Sequence, residues 1–145
     1  MPQYVVDASV VAKWVLPGEP CQNNAVGLKE SLVSGKANLS APTFVVHEVA
    51  NSLWKAAKRG RISSEDAKTA LCALQDIRIS LHEFSWADLS EALDVACELD
   101  LAIYDCTYLL LSKKLDATLI TADDELFEKA KEHFKILHIK DYLQP

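Results

Sequence analysis

No stretch of this sequence approaches the ~20 consecutive apolar residues that a membrane-spanning helix requires, so no membrane association is expected. The opening residues, MPQYVVDAS, lack both a basic segment and a small-residue cleavage site. No signal peptide is expected, and the chain is assigned to the cytoplasm. The four cysteines, at 21, 72, 97 and 106, contain no CxxC pair and form no tight cluster. Reduced, partly buried thiols are the expectation, a disulfide in a thermophile's cytosol being the exception. The four histidines, at 47, 82, 133 and 138, are equally scattered, which leaves zinc without its usual ligands. No internal repeat, low-complexity tract or linker divides the chain, so one domain over residues 1–145 is expected, long enough to bury a substantial core.

Positive charge is also in short supply. The net charge of −6 argues against broad, nonspecific coating of nucleic acid. It does not exclude an enzyme acting on nucleic acid, because a metal site built from carboxylates contributes several of those charges itself.

What is present is an alternation of short apolar runs with helical periods. A strand at about 3–7 leads into a helix through ASVVAKWVL, which Pro17 and Gly18 end. A second helix covers about 21–34 with Gly35 as its stop, and ANLSAP reads as a short strand. Pro42 is expected to start a long helix that runs to Gly60. RISSEDAKTALCALQD is a further helix with a serine N-cap and Glu65 and Asp66 in its first turn. ISLHEF is a strand, and SWADLSEALDVACELD is an amphipathic helix with Leu89, Leu93 and Ala96 on one side. A helix at about 104–115, a strand at ATLIT, a helix at 124–133 and a strand at KILHI complete the chain. Strands alternating with helices give an α/β fold with a mostly parallel sheet covered on both faces. In such sheets ligands sit beyond the C-terminal ends of the strands.

Several acids fall at that edge. Asp7 closes the first strand, and Asp123 and Asp124 lie just past the strand in TLITADDELF. Asp105 stands in the first turn of the helix IYDCTYLLLSKKL, and Glu48 lies about two turns into the long helix. Each aspartate has an ordinary alternative as an N-cap or a first-turn acid favoured by the helix dipole. Glu48 fits a plain surface reading less well, because it shares a narrow polar stripe with Asn51, Lys55 and Lys58 beside the apolar Val45, Val46, Val49 and Ala50. Four carboxylates at one edge repel each other and raise each other's pKa, a conflict that a divalent cation removes. Oxygen donors without histidine or cysteine point to Mg²⁺ or Mn²⁺. The chemistry implied is metal-assisted hydrolysis of a phosphodiester.

The segments VVDAS, HEVAN, YDCTYL and ITADDEL, in that order and over the whole chain, resemble the PIN-domain nucleases, and in particular the single-domain ribonuclease toxins of VapBC toxin–antitoxin systems. The resemblance implies that Asp7, Glu48, Asp105 and Asp123 are the catalytic, metal-holding acids. Ser9 and Thr121 match small hydroxyl positions beside them, and Asn51 the polar residue one turn after the glutamate. The T-x-D spacing selects Asp123, leaving Asp124 as a helix N-cap or auxiliary acid. Also implied are a three-layer α/β/α sandwich, an RNA substrate, a homodimer, and a small antitoxin whose C-terminal segment occupies the cleft.

Other classes fit less. Haloacid-dehalogenase-like phosphatases need a second aspartate two residues after the first, and Ser9 stands there; receiver domains need paired acids at the first strand and a late lysine after a strand. A PIN-like module that binds RNA or protein without cutting would be free to lose an acid. A nuclease of RNA processing or decay shares the same site. For the RNA backbone, Lys13 and Lys55 are the candidate contacts, whereas Lys58, Arg59 and Arg61 equally suit a solvated helix end. Trp14 reads as core rather than as a stacking platform, and TYLLLSKKL as core packing.

Overall fold

Val5 and Val6 have no exposed surface, and neither do Leu119 and Ile120. Runs buried on both faces belong to the central strands of a parallel sheet. In the computed structural model, which describes residues 1–144, those runs are β1 (Gln3–Val6) and β4 (Thr118–Thr121), paired in parallel with Val5 beside Leu119 and Val6 beside Ile120. β2 (Asn38–Pro42) lies on the other side of β1, β3 (Ser80–His82) beyond β2, and β5 (Ile136–His138) beyond β4. The order β3-β2-β1-β4-β5 is parallel throughout.

Right-handed crossovers dictate where the helices go. α1 (Ala8–Val11), α2 (Gln22–Val33), α3 (Val45–Lys58) and α4 (Ser64–Gln75) connect strands stepping one way from β1 and therefore cover one face. α5 (Trp86–Leu99), α6 (Ile103–Leu115) and α7 (Asp124–Ala130) connect strands stepping the other way and cover the opposite face. The three-layer α/β/α expectation holds. The strand order reverses between β1 and β4, and the crevice at that reversal is where ligands of such sheets bind.

Local differences from the sequence reading have local causes. Pro42 ends β2, in register with His82, and does not start a helix; the Thr43 backbone N–H donates to the His82 carbonyl, and α3 begins only at Val45. Glu48 is consequently in the first turn of α3, not two turns in. The first helix tightens after Val11 into a 3-10 turn over Ala12–Trp14. On α5 the buried side is turned from the expected one: Ala92 has no exposure and packs with Val95 and Ala96 on Cys106 and Leu110 of α6, while Leu89 and Leu93 remain 36% and 56% exposed. Ala96, expected on the buried side, does pack there. α6 itself is buried continuously from Cys106 to Ser112, as expected of a helix held between a sheet and another helix.

The cysteines are free, with Cys106 buried and Cys72 and Cys97 exposed. No helix among the described residues is long and apolar enough to cross a membrane.

Candidate active site

Asp7 follows β1 directly, in extended conformation, and its carboxylate accepts from the Val10 backbone N–H at 3.3 Å, capping α1. That is the ordinary role of such a residue, yet it occupies only part of the carboxylate. Ser9 Oγ donates to one oxygen and Thr121 Oγ1 to the other, both at 2.5 Å. Each hydroxyl in turn accepts a backbone N–H from the segment between β4 and α7: Ala122 to Ser9 and Asp123 to Thr121, both at 3.0 Å. The two hydroxyls expected beside the acid thus tie the ends of β1 and β4 together and fix both oxygens of Asp7. Burial pushes the Asp7 carboxyl up to about 6; the bonds from Ser9, Thr121 and Val10 pull it down, and the charge of Asp123 raises it further.

Asp105 is half-buried in the first turn of α6, and its carboxyl is also pushed up to about 6. Burial is the first cause, followed by the charges of Asp123, Asp7, Glu48 and Glu125. Three of the expected acids therefore act on the carboxyl of the fourth, although the four come from the ends of two strands and the starts of two helices. Like-charge repulsion, the cause argued from the sequence, follows desolvation at Asp105 and is the smallest of the causes at Asp7.

Glu48 accepts a hydrogen bond at 2.8 Å from the phenol of Tyr108, a side chain 1% exposed. Burial and the Glu48 charge hold that phenol protonated, far above its ordinary range, so it remains a donor. From the sequence Tyr108 reads as core packing; the one signal of its role is its place one helical turn after Asp105.

The late acids divide differently from the expectation. Asp123, not Asp124, caps α7, accepting from the Leu126 N–H at 3.0 Å. Its extended backbone is what an N-cap requires, whereas Asp124 already has helical geometry. Asp124 instead meets His138 Nε2 at 2.8 Å, and the other ring nitrogen of His138 accepts from the Lys140 N–H, which assigns the Nε2 proton to the bond with Asp124.

Asn51 and Lys55 are exposed on α3 beyond Glu48. Lys13 is 8% exposed on the 3-10 turn, so its stem is packed against the protein. Trp14 is core, its indole N–H donating to the Ala25 carbonyl at 2.7 Å.

The all-oxygen chemistry of Asp7, Glu48, Asp105 and Asp123 is of the kind that suits a hard divalent ion, and these are the side chains that would hold one. Among the described residues no group of three or more acids, histidines or cysteines is drawn together closely enough to hold a metal ion by itself. The charges of Asp123, Asp7 and Glu48 raise the proton affinity of Asp105, an arrangement that an added positive charge would relieve.

A family model for the PIN domain matches residues 4–132. The chain belongs to the PIN-domain family. Within it, the chain is similar to Ribonuclease VapC3 of Pyrobaculum aerophilum, at 33% identity over 86% of this chain and 92% of that protein. The PIN fold here also superposes on the crystal structure of PAE2754 from the same organism, with a TM-score of 0.72 and 24% identity over 96% of this chain and 92% of that one. VapBC2 of Rickettsia felis, crystallised on a DNA fragment from its promoter, shares the fold at a TM-score of 0.64 and 14% identity, covering 94% of this chain and 98% of that one.

Proposed function

We propose that this PIN domain is a Mg²⁺- or Mn²⁺-dependent endoribonuclease that hydrolyses RNA phosphodiester bonds, and that it serves as the toxin of a toxin–antitoxin pair. The observation that carries the reading is the convergence on Asp105 of the charges of Asp7, Glu48 and Asp123. The name of the 33% identical relative, a VapC ribonuclease, supports both RNA as substrate and the toxin role. Resemblance to VapBC toxins supports a small antitoxin partner, a homodimer and a cytoplasmic setting.

When bound among these four acids, the cation would supply Lewis-acid stabilisation of the phosphate charge and water of lowered pKa. The chain's own residues prepare that site. Ser9 and Thr121 hold the Asp7 carboxylate in one orientation from two sides. Tyr108 fixes Glu48, and the cap to Leu126 fixes Asp123. Asp7 is walled off from solvent while Asp123 is exposed, so a strand and a water molecule would reach the acids from the Asp123 side. Lys55, exposed on α3, is the candidate contact for the RNA backbone.

The test is incubation of the purified protein with structured RNA in Mg²⁺ or Mn²⁺ and in EDTA, alongside Asp7→Asn. Internal cleavage that requires the cation and Asp7 is expected. Full activity in EDTA, or an unimpaired Asp7→Asn protein, would sink the mechanism.

A further inference from the structure

Two aromatic rings stand on the same helix starts as two of the acids. Phe44 is the residue before α3, one turn ahead of Glu48, and Tyr104 immediately precedes Asp105 in the first turn of α6. The two rings stack with centroids 5.1 Å apart and planes 26° from parallel, and Phe44 stacks in the same way on Tyr108 at 5.3 Å and 25°. The ladder Tyr104–Phe44–Tyr108 therefore runs from a ring 56% exposed to the buried phenol that holds Glu48. Beside it opens a cavity of about 300 Å³, walled by Phe84, Leu89 and Ile103 together with Phe44 and Tyr104. Among the described residues, Thr43 and Thr107 are its only other polar side chains, and no acid, lysine, arginine or histidine lines it.

We propose that this cavity is a nucleobase subsite, taking one unpaired base of the RNA strand that passes the four acids and stacking it on Tyr104. The inference rests on the ribonuclease reading and deepens it. An uncharged, aromatic-walled cavity suits the flat apolar face of a base and offers nothing to a phosphate. Its volume is at the lower end of the ~300–1,000 Å³ of small-ligand sites, enough for one base and too confined for a duplex. Its position follows from chain connectivity: Tyr104 and Asp105 are consecutive, and Phe44 and Glu48 share one turn, so a base held here places its own backbone at the carboxylates. Stacking tolerates every base, so the subsite fixes where along a strand cleavage falls more than which letter is read.

The experiment is a cycle in kcat/KM, with Mn²⁺, on a single-stranded RNA whose cleavage position has been mapped. Wild type, Tyr104→Ala and Tyr104→Phe are compared on the intact strand and on strands carrying one abasic residue at each position around the cut. Tyr104→Ala is expected to lower kcat/KM about tenfold on the intact strand, chiefly through KM, with Tyr104→Phe close to wild type. At one position the abasic strand should cost wild type a similar factor and cost Tyr104→Ala little more. Equal values for all three proteins, or losses that multiply at every position, overturn the subsite alone and leave the cavity to an apolar side chain of a protein partner. A wild type that cuts no RNA overturns the ribonuclease reading and the subsite with it.

Discussion

The phenol of Tyr108 and the carboxylate of Glu48 meet at 2.8 Å from two different helices, 60 residues apart in the chain. The bond joins α3 to α6 at the point where each contributes an acid, so the separation of Glu48 from Asp105 depends on it. Tyr108→Phe keeps the ring and its stacking on Phe44 and removes only the donor. A hydrogen bond to a charged group contributes roughly 1.5–3 kcal/mol, and water can partly replace the phenol at half-exposed Glu48, so a destabilisation near the lower bound is expected. Cleavage should fall with it. Denaturant melts and single-turnover cleavage check both, and unchanged cleavage would return Tyr108 to the core.

The late acids should be unequal. Asp123→Asn retains a good cap for α7, so the fold should be preserved, but the loss of a carboxylate at the cation site should slow cleavage roughly a thousandfold, the equivalent of about 4 kcal/mol. Asp124→Asn should keep a sizeable part of the activity, its main effect being a weaker contact with His138. A dead Asp124→Asn protein beside a live Asp123→Asn protein would reverse the two roles.

Stability without metal should depend on pH in a defined direction. Asp7 and Asp105 titrate near 6 in the folded protein against an ordinary 3.8, so between about pH 4 and pH 6 the folded state holds protons that the unfolded chain has released. Their contribution is complete below that window, is lost as pH rises through it, and is level above. For buried Asp7 the scale is on the order of 3 kcal/mol. Melts in EDTA at about pH 5 and about pH 7.5 should show wild type losing more stability than Asp7→Asn, and equal losses would remove Asp7 from the titration.

Divalent cation should reverse that ranking at neutral pH. A ligand that binds only the folded state contributes about 2.7 kcal/mol at a hundredfold excess over its dissociation constant. Wild type should gain most of that in Mn²⁺ and Asp7→Asn little. Identical thermal shifts in the two proteins would leave Asp7 as a helix cap alone.

Lys55→Ala should weaken RNA binding about uniformly across sequences and reduce the salt slope by roughly 0.7 for a single strand, the signature of one lost phosphate contact. An unchanged slope would make Lys55 ordinary surface. Lys13, packed at 8% exposure, is expected to have the smaller effect on the slope.

The positions of Asp7, Asp105 and Asp123 were legible in the sequence because each is set by a local rule. Asp7 and Asp123 follow the ends of buried strands, Asp105 opens a helix, and a parallel sheet gathers such points along one edge. Glu48 reads too deep in its helix, about two turns in, because Pro42 ends β2 and α3 starts only at Val45. Strand and helix periods likewise identified the α/β class, since burial on both faces leaves an unbroken apolar run. Tertiary structure alone decided the partners. Thr121 reaches Asp7 across 114 residues and Tyr108 reaches Glu48 across 60, contacts that follow from the strand order and helix placement and carry no periodic trace. The cap went to Asp123 over Asp124 through one backbone angle, and Lys13 was packed by a turn that tightened after Val11. Periodicity reports which face of an element is buried; which side chain answers a buried polar group depends on the neighbouring element, and folding brings that neighbour from elsewhere in the chain.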